Sequence, residues 1–475
     1  MDLLNNEPKL DDEKNKKIMR IILILVAILV IISIVIVCAI FYLQTTMLKV
    51  NVNGEIKNFS EGFFVFQNGT IYVPIKEFAK QITQYEVQNG EYQKNTEDKN
   101  KCYIESINEV AMFSLGSNTI YKTKPNGTTF ESFTIENPVK NINNQLYISA
   151  EGISIACNVK FTYSEKDNNI TIKTLDKLVT EYTTSIKQLG YSGISDDFSS
   201  QKAILQNLFV VTQEKETTSK EGVINSNGEV VIGTKYDNIT FMESTKEFLV
   251  TSNNKVGILS TKGEIKIPLE NDELELLDDG LRLYIATSNG KKGVLDENGN
   301  VILHKEYDEI GVDTTLYPTN DIKNEYLLFD NAIPVKKDGK YGLYDKNGKE
   351  ILPLNYSGFG YVKSTTKENS VNNLLIIPKY EGIVLSIEYG EEQQKTKKYG
   401  IVNSLGEELV PFGLEEIYSK TEHGKEEYYV VYQGNVLSLS EIKINIPTNE
   451  DKDNVDKNIN TNSNSNNITG TNNEI

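Results

Sequence analysis

A mainly β chain with one N-terminal transmembrane helix is predicted, in which an α+β domain precedes an array of β-hairpin repeats. Three observations carry this expectation: an uninterrupted apolar run at residues 21–43, strand-like runs broken by Asn-Gly dipeptides from residue 48, and five evenly built glycine pairs between residues 222 and 406. The chain of 475 residues exceeds what one hydrophobic core usually organises, so two or three domains plus linkers are expected. Its formal charge of -18 repels phosphate backbones, which excludes a nucleic acid partner.

Residues 1–20 form the expected cytoplasmic N-terminus. The run at residues 21–43 carries no charge, Pro or Gly, and as a helix it extends about 34 Å, enough to span a bilayer. Lys14, Lys16, Lys17 and Arg20 crowd its N-terminal flank, whereas Lys49 and Lys57 follow more sparsely, so the N-terminus is expected inside and the remainder outside. Phe41 and Tyr42 mark the outer interface. A cleaved signal peptide would have a shorter apolar region ending in a small-residue site, which does not follow Leu43, so an uncleaved anchor is expected. Cys38 follows Val37 rather than a small residue, which favours a membrane-helix cysteine over a lipidated one. The remaining cysteines, Cys102 and Cys157, permit a disulfide without requiring one.

Residues 48–175 form the α+β domain. Asn53-Gly54 and Asn68-Gly69 punctuate its opening strands, and IYVP leads into a helix-like KEFAKQI. The pattern returns as LYIS, the helix-like AEGISIACN, and the strands VKFTYS and NITIKTL, pointing to an internal duplication. Tyr72-Val73-Pro74-Ile75-Lys76, and Tyr147-Ile148-Ser149 in the second half with Ser149 for the proline, resemble the copper amine oxidase N-terminal-like domain of bacterial envelope proteins. The resemblance implies an adhesion or stalk-like module. It does not carry copper chemistry with it, because His304 and His423 are the only imidazoles and both lie in the later region.

Residues 176–205 read as a helical connector. Leu178, Val179, Tyr182, Ile186 and Leu189 share one helical stripe, with Asp176 as the expected N-cap and Gly190 as the stop, followed by a short helical QKAILQNLF.

Residues 206–445 hold five copies of one unit, aligned on Gly222, Gly257, Gly293, Gly342 and Gly400, each with a second glycine six residues on. The residue after the first glycine is apolar throughout, as are those ten and seventeen positions on. Asn225, Ser260, Asp296, Asp345 and Asn403 stand three before the second glycine, which predicts a type I turn and hence a hairpin. Lys340 to Gly348, with Tyr236-Asp237 and Tyr307-Asp308, resembles the WG repeat, although Glu221, Val256, Lys292, Tyr341 and Tyr399 stand where that family has tryptophan. Such hairpins must stack, and propeller-like packing is preferred over a β-solenoid. Insertions around 313–331 and 363–392 read as loops able to carry a ligand surface. Residues 446–475, rich in Asn, read as a disordered tail.

No catalytic, cofactor-binding or metal-binding residue is nominated. Glu270 to Asp279 and Asp296 to Asn300 could offer oxygens to calcium, but the first lacks calcium-loop spacing and the second is explained by its turn. His304 and His423 stand in no recognisable catalytic arrangement. The expected function is therefore a membrane-anchored, extracytoplasmic binding or scaffolding protein of the bacterial envelope, engaging a protein or cell-wall glycan, non-enzymatic and without a cofactor. The alternatives are an envelope hydrolase with a carboxylate site in the repeat loops, and a structural subunit of a membrane complex.

Overall fold

The computed structural model describes residues 10–46, 48–92, 98–127, 131–216, 218–312, 328–361, 376–377, 381–390, 395–422 and 425–442. His423, most of the two loop insertions and the Asn-rich tail lie outside these residues. The chain is mainly β, behind one long apolar helix, α1 (Leu10–Thr46), whose segment Lys16–Val37 is apolar and long enough to cross a membrane. Its side chains over that segment are exposed, as expected of a helix with no protein core to enter.

In the first domain the duplication is visible as paired halves. Strand Thr70–Pro74 runs into the short α2 (Ile75–Phe78), and strand Gln145–Ser149 runs into α3 (Ala150–Cys157). The two strands pair antiparallel, with Val73 opposite Ile148. Pro74 caps α2 through its fixed backbone, whereas Ser149 caps α3 by accepting the Gly152 amide, so the Pro-to-Ser difference between the halves keeps the helix start. The helix expected over KEFAKQI continues past α2 as a π-turn, Ala79–Thr83, closed by Gln84 in the left-handed region. First and last strands of the domain, Lys49–Val52 and Asn169–Thr174, pair in parallel and close it. The connection between the halves holds a five-stranded antiparallel meander over 86–134 that the sequence reading had not separated.

The connector is α4 (Leu175–Gln188), ending at Gly190, followed by α5 (Phe198–Gln201) and a 3-10 turn, Lys202–Gln206. Asp176 is not its N-cap. Thr174 holds that place, and its amide bonds to the Asn53 side chain, so Asp176 moves into the first turn, where its charge still favours the helix N-terminus.

Among the described residues, six antiparallel sheets follow in chain order, starting at residues 193, 238, 273, 309, 358 and 416. The register of each glycine-bearing hairpin repeats: Glu221 faces Tyr236 and Val223 faces Ile232, and the same bulged offset recurs at Val256 and Asn271, Lys292 and Tyr307, Tyr341 and Tyr356, and Tyr399 and Leu414. The first glycine sits at this bulge because a Cβ on Gly293 would lie 2.5 Å from the Leu303 carbonyl. The three apolar positions of each unit are buried, for example Val294, Leu303 and Ile310.

Two devices join each sheet to the next. The second glycine of a hairpin turn presses on the preceding sheet's last strand, so that a Cβ on Gly348 would lie 2.2 Å from the Ile302 carbonyl. At the first hairpin this neighbour is Leu189 at the end of α4, which thus stands in for a preceding sheet and caps the array. The second device is an acid between sheets. Asp272 takes the Lys255 ammonium of the sheet before it at 2.7 Å and the Asn289 amide of its own sheet at 2.7 Å, and Asp308 repeats this with Lys291 and the Asp338 amide. Glu415 does so with Lys398 and Gly434. The lysine, foremost, holds each of these carboxyls below its ordinary range.

Replacing Gly348 by Ala is expected to cost about 3 kcal/mol, combining left-handed strain with the carbonyl clash. Gly339→Ala has the same backbone hand but open space around it, so it should cost only about 1 kcal/mol. Urea titrations followed by far-UV circular dichroism should separate the two, and equal costs would refute the inter-sheet contact.

Candidate functional site

The first domain meets the array through its meander. Lys122, on strand Thr119–Thr123, projects into the junction and is 3 % exposed; Glu243, in the turn after strand Asn238–Met242, meets it at 2.8 Å and is 5 % exposed. Glu109, at the turn before strand Val110–Ser114, lies 2.8 Å from the same ammonium. Lys202, from the connector, pairs with Glu243 at 2.9 Å and with Glu109. Four charges from three parts of the chain thus neutralise one another out of water. Asn158, left-handed at the end of α3, completes the set: its amide donates to Glu109 at 2.8 Å and its carbonyl accepts from Lys122 at 3.0 Å. The ammonium groups of Lys122 and Lys202 each lie 5.5 Å from an aromatic ring centre, Phe133 and Phe198.

Burial alone would raise the Glu243 carboxyl, but Lys122 and Lys202 outweigh it and hold it at about 2. Glu109 is lowered in the same way, against the same burial cost. Lys202, which burial would lower, is raised by Glu243 and Glu109. Two groups at the margin are left shifted toward neutrality by burial, Glu131 upward and Lys246 downward. A second contact joins the same surfaces: the Ser132 amide and hydroxyl donate to Asp279 at 2.8 and 2.6 Å.

Beside this cluster opens a cleft of about 960 Å³ between the first domain and the connector. Tyr85, Glu86, Glu105, Ile107, Asp176 and Phe198 line it, and among the described residues its lining contains no Lys, Arg or His. Burial, then Cys157, Glu109 and Asp176, push the Tyr85 hydroxyl up, so it stays protonated and able to donate.

Among the sequence candidates, Cys102 and Cys157 are free and buried in the first domain's core, and burial pushes both thiols up to about 12. No disulfide joins them. Protonated thiols and a domain without imidazole do not fit copper, and the described residues hold no group of three or more His, Cys, Asp or Glu able to bind a metal. The oxygens of Asp296 accept the Asn298 and Asn300 amides at 2.8 Å, as its turn requires. Along Glu270 to Asp279, Asp272 clamps two sheets, Asp278 accepts the Leu281 amide and Asp279 meets Ser132. His304 is exposed on an outer strand. The structure brings none of these into one site except Asp279. Sequence reasoning missed Glu109, Lys122, Lys202 and Glu243. One signal was present: Glu243 and Asp279 each stand fourteen residues before their unit's first glycine, so equivalent turns carry the acids that meet the first domain.

Removing one buried partner strands the others, so Lys202→Met is expected to destabilise by about 3–5 kcal/mol, and adding Glu243→Gln should restore part of the loss by balancing the charge. Thermal denaturation of the single and double variants checks this; a double variant less stable than the single one would contradict it. The pH dependence follows in sign. The lowered Glu109 and Glu243 contribute above the ordinary 4.5, and this is lost as pH falls through their folded values, for Glu243 about 2. The raised Lys202 contributes below its ordinary 10.5 and loses this as pH rises past its higher folded value. Glu131 acts oppositely, its ionisation opposing the fold as pH rises past 4.5.

Family models match two parts of this architecture. Residues 51–172 match the copper amine oxidase N-terminal domain, and residues 222–244, 293–312 and 341–364 match the WG containing repeat. No curated protein matches the chain. Among solved structures, a eukaryotic initiation factor is 12% identical over 68% of this chain and 87% of its own, with a TM-score of 0.25. The Neurospora crassa Pan2 WD40 domain is 10% identical over 74% and 89%, with a TM-score of 0.18, and the Pyrococcus horikoshii acylaminoacyl peptidase is 14% identical over 50% and 38%, with a TM-score of 0.14. Behind the apolar helix α1, the chain thus carries a segment that matches the copper amine oxidase N-terminal domain, followed by segments that match the WG containing repeat.

Proposed function

We propose that this chain is a membrane-anchored binding platform of the bacterial cell envelope, held by α1 with its N-terminus inside, and that it engages a protein or cell-wall glycan without catalysing a reaction. The observation that carries the reading is the buried four-charge junction, which ties the first domain to the array and so gives the array a fixed bearing on the domain that follows α1. A platform gains from this, because a ligand surface held in one orientation loses less entropy on binding. The basic residues at the N-terminal end of α1, Lys14, Lys16, Lys17 and Arg20, support the orientation. The successive sheets offer the broad repeated surface typical of binding arrays.

Topology is the first test. A C-terminal tag on the full chain should be lost when protease is added to intact cells or spheroplasts, while a cytoplasmic control survives. Protection of the tag until lysis would invert the orientation and remove envelope ligands from consideration.

A further inference from the structure

The junction cleft has one-sided chemistry. Its volume of about 960 Å³ falls within the range of ligand sites, and such sites concentrate where domains meet. Glu86, Glu105 and Asp176 stand on its walls without an ion pair among the described residues. On the array, by contrast, the inter-sheet acids are taken up by lysines. Ile82, Ile107 and Phe198 line the cleft together with the carboxylates, and Ile107 is 93 % exposed in the turn after strand Lys101–Glu105. The protonated Tyr85 adds one donor. A ligand for this cleft needs positive charge on a partly apolar body.

We propose that the cleft binds a short basic segment of a partner protein, with its cationic groups on Glu86, Glu105 and Asp176 and its aliphatic stems along Ile107 and Phe198. The inference rests on the binding reading above and adds where the partner sits and what it carries. Other occupants fit less well. A second copy brings its own charge of -18, an anionic polymer would be repelled, and a neutral glycan gives no use to three carboxylates without an ion pair among the described residues. The chain's own dense basic stretch, Lys14 to Arg20, lies at the far end of α1 from the first domain.

The test uses the full chain in non-ionic detergent and a fluorescein-labelled Lys-Ala-Lys-Ala-Lys-Ala peptide, followed by anisotropy. Binding should weaken on raising salt from about 50 to about 300 mM. The pair Glu86→Gln and Glu105→Gln should weaken it about tenfold at unchanged thermal midpoint, and Ile107→Ser, which alters no charge, about threefold. A control pair of exposed acids on other surfaces, Glu165→Gln and Glu214→Gln, should leave it unchanged. No binding to the parent chain, no effect of the cleft variants, or an equal effect of the control pair would overturn the proposal. An outward tag in the protease experiment together with any of these results would remove the cleft assignment alone and leave the platform reading standing.

Discussion

A β-hairpin sheet cannot cover both of its faces, and this constraint governs the greater part of the molecule. Each sheet here closes its neighbour's core, so the clusters are shared in sequence: Phe248 and Val223 belong to one, Ile258 and Tyr284 to the next, and Leu303 and Ile333 to a third. Close approach is what makes the sharing possible, and glycine at the turn permits it. The Asp–Lys clamps then fix the angle between sheets rather than supply much energy, because their side chains remain substantially solvated. At the two ends of the described array, helical segments cover the terminal sheets: α4 with Leu178 and Ile186 at the start, and the Leu439–Glu441 turn at the finish.

The junction with the first domain works on a different principle. A hydrophobic patch would bind the two surfaces in several orientations, whereas buried charges tolerate only the arrangement that pairs all of them. Lys122, Lys202, Glu109 and Glu243 come from three parts of the chain, and each depends on the others to offset the cost of leaving water. Such a cluster contributes direction more than stability. It holds the first domain and the array in one relative orientation, and the neighbouring cleft is shaped by the same meeting of parts, since Phe198 serves both.

The family resemblance and the chemistry point in different directions at the cysteines. A domain whose name evokes copper keeps its two thiols within a core of Ile, Val and Phe side chains, protonated and packed as small apolar groups. What it contributes to the architecture is paired halves, a parallel closing strand pair, and a meander that reaches across to the array.

The local rules of the chain were legible without coordinates. The apolar run of α1, the Asn-Gly turns, the hairpins with their bulge-site and turn glycines, and the buried positions one, ten and seventeen after each first glycine all follow from short-range sterics and periodicity. Those constraints act within a few residues, so sequence carries them directly. The N-cap of α4 slipped because a tertiary contact, the Asn53 side chain on the Thr174 amide, competed with local propensity. The meander over 86–134 escaped notice because its strands carry no repeat or turn signal as regular as those around them. The junction and cleft were decided by tertiary structure alone: Glu109 and Glu243 are far apart in the chain, each reads locally as a solvated acid, and only the docking of two domains removes the water that would have made them ordinary.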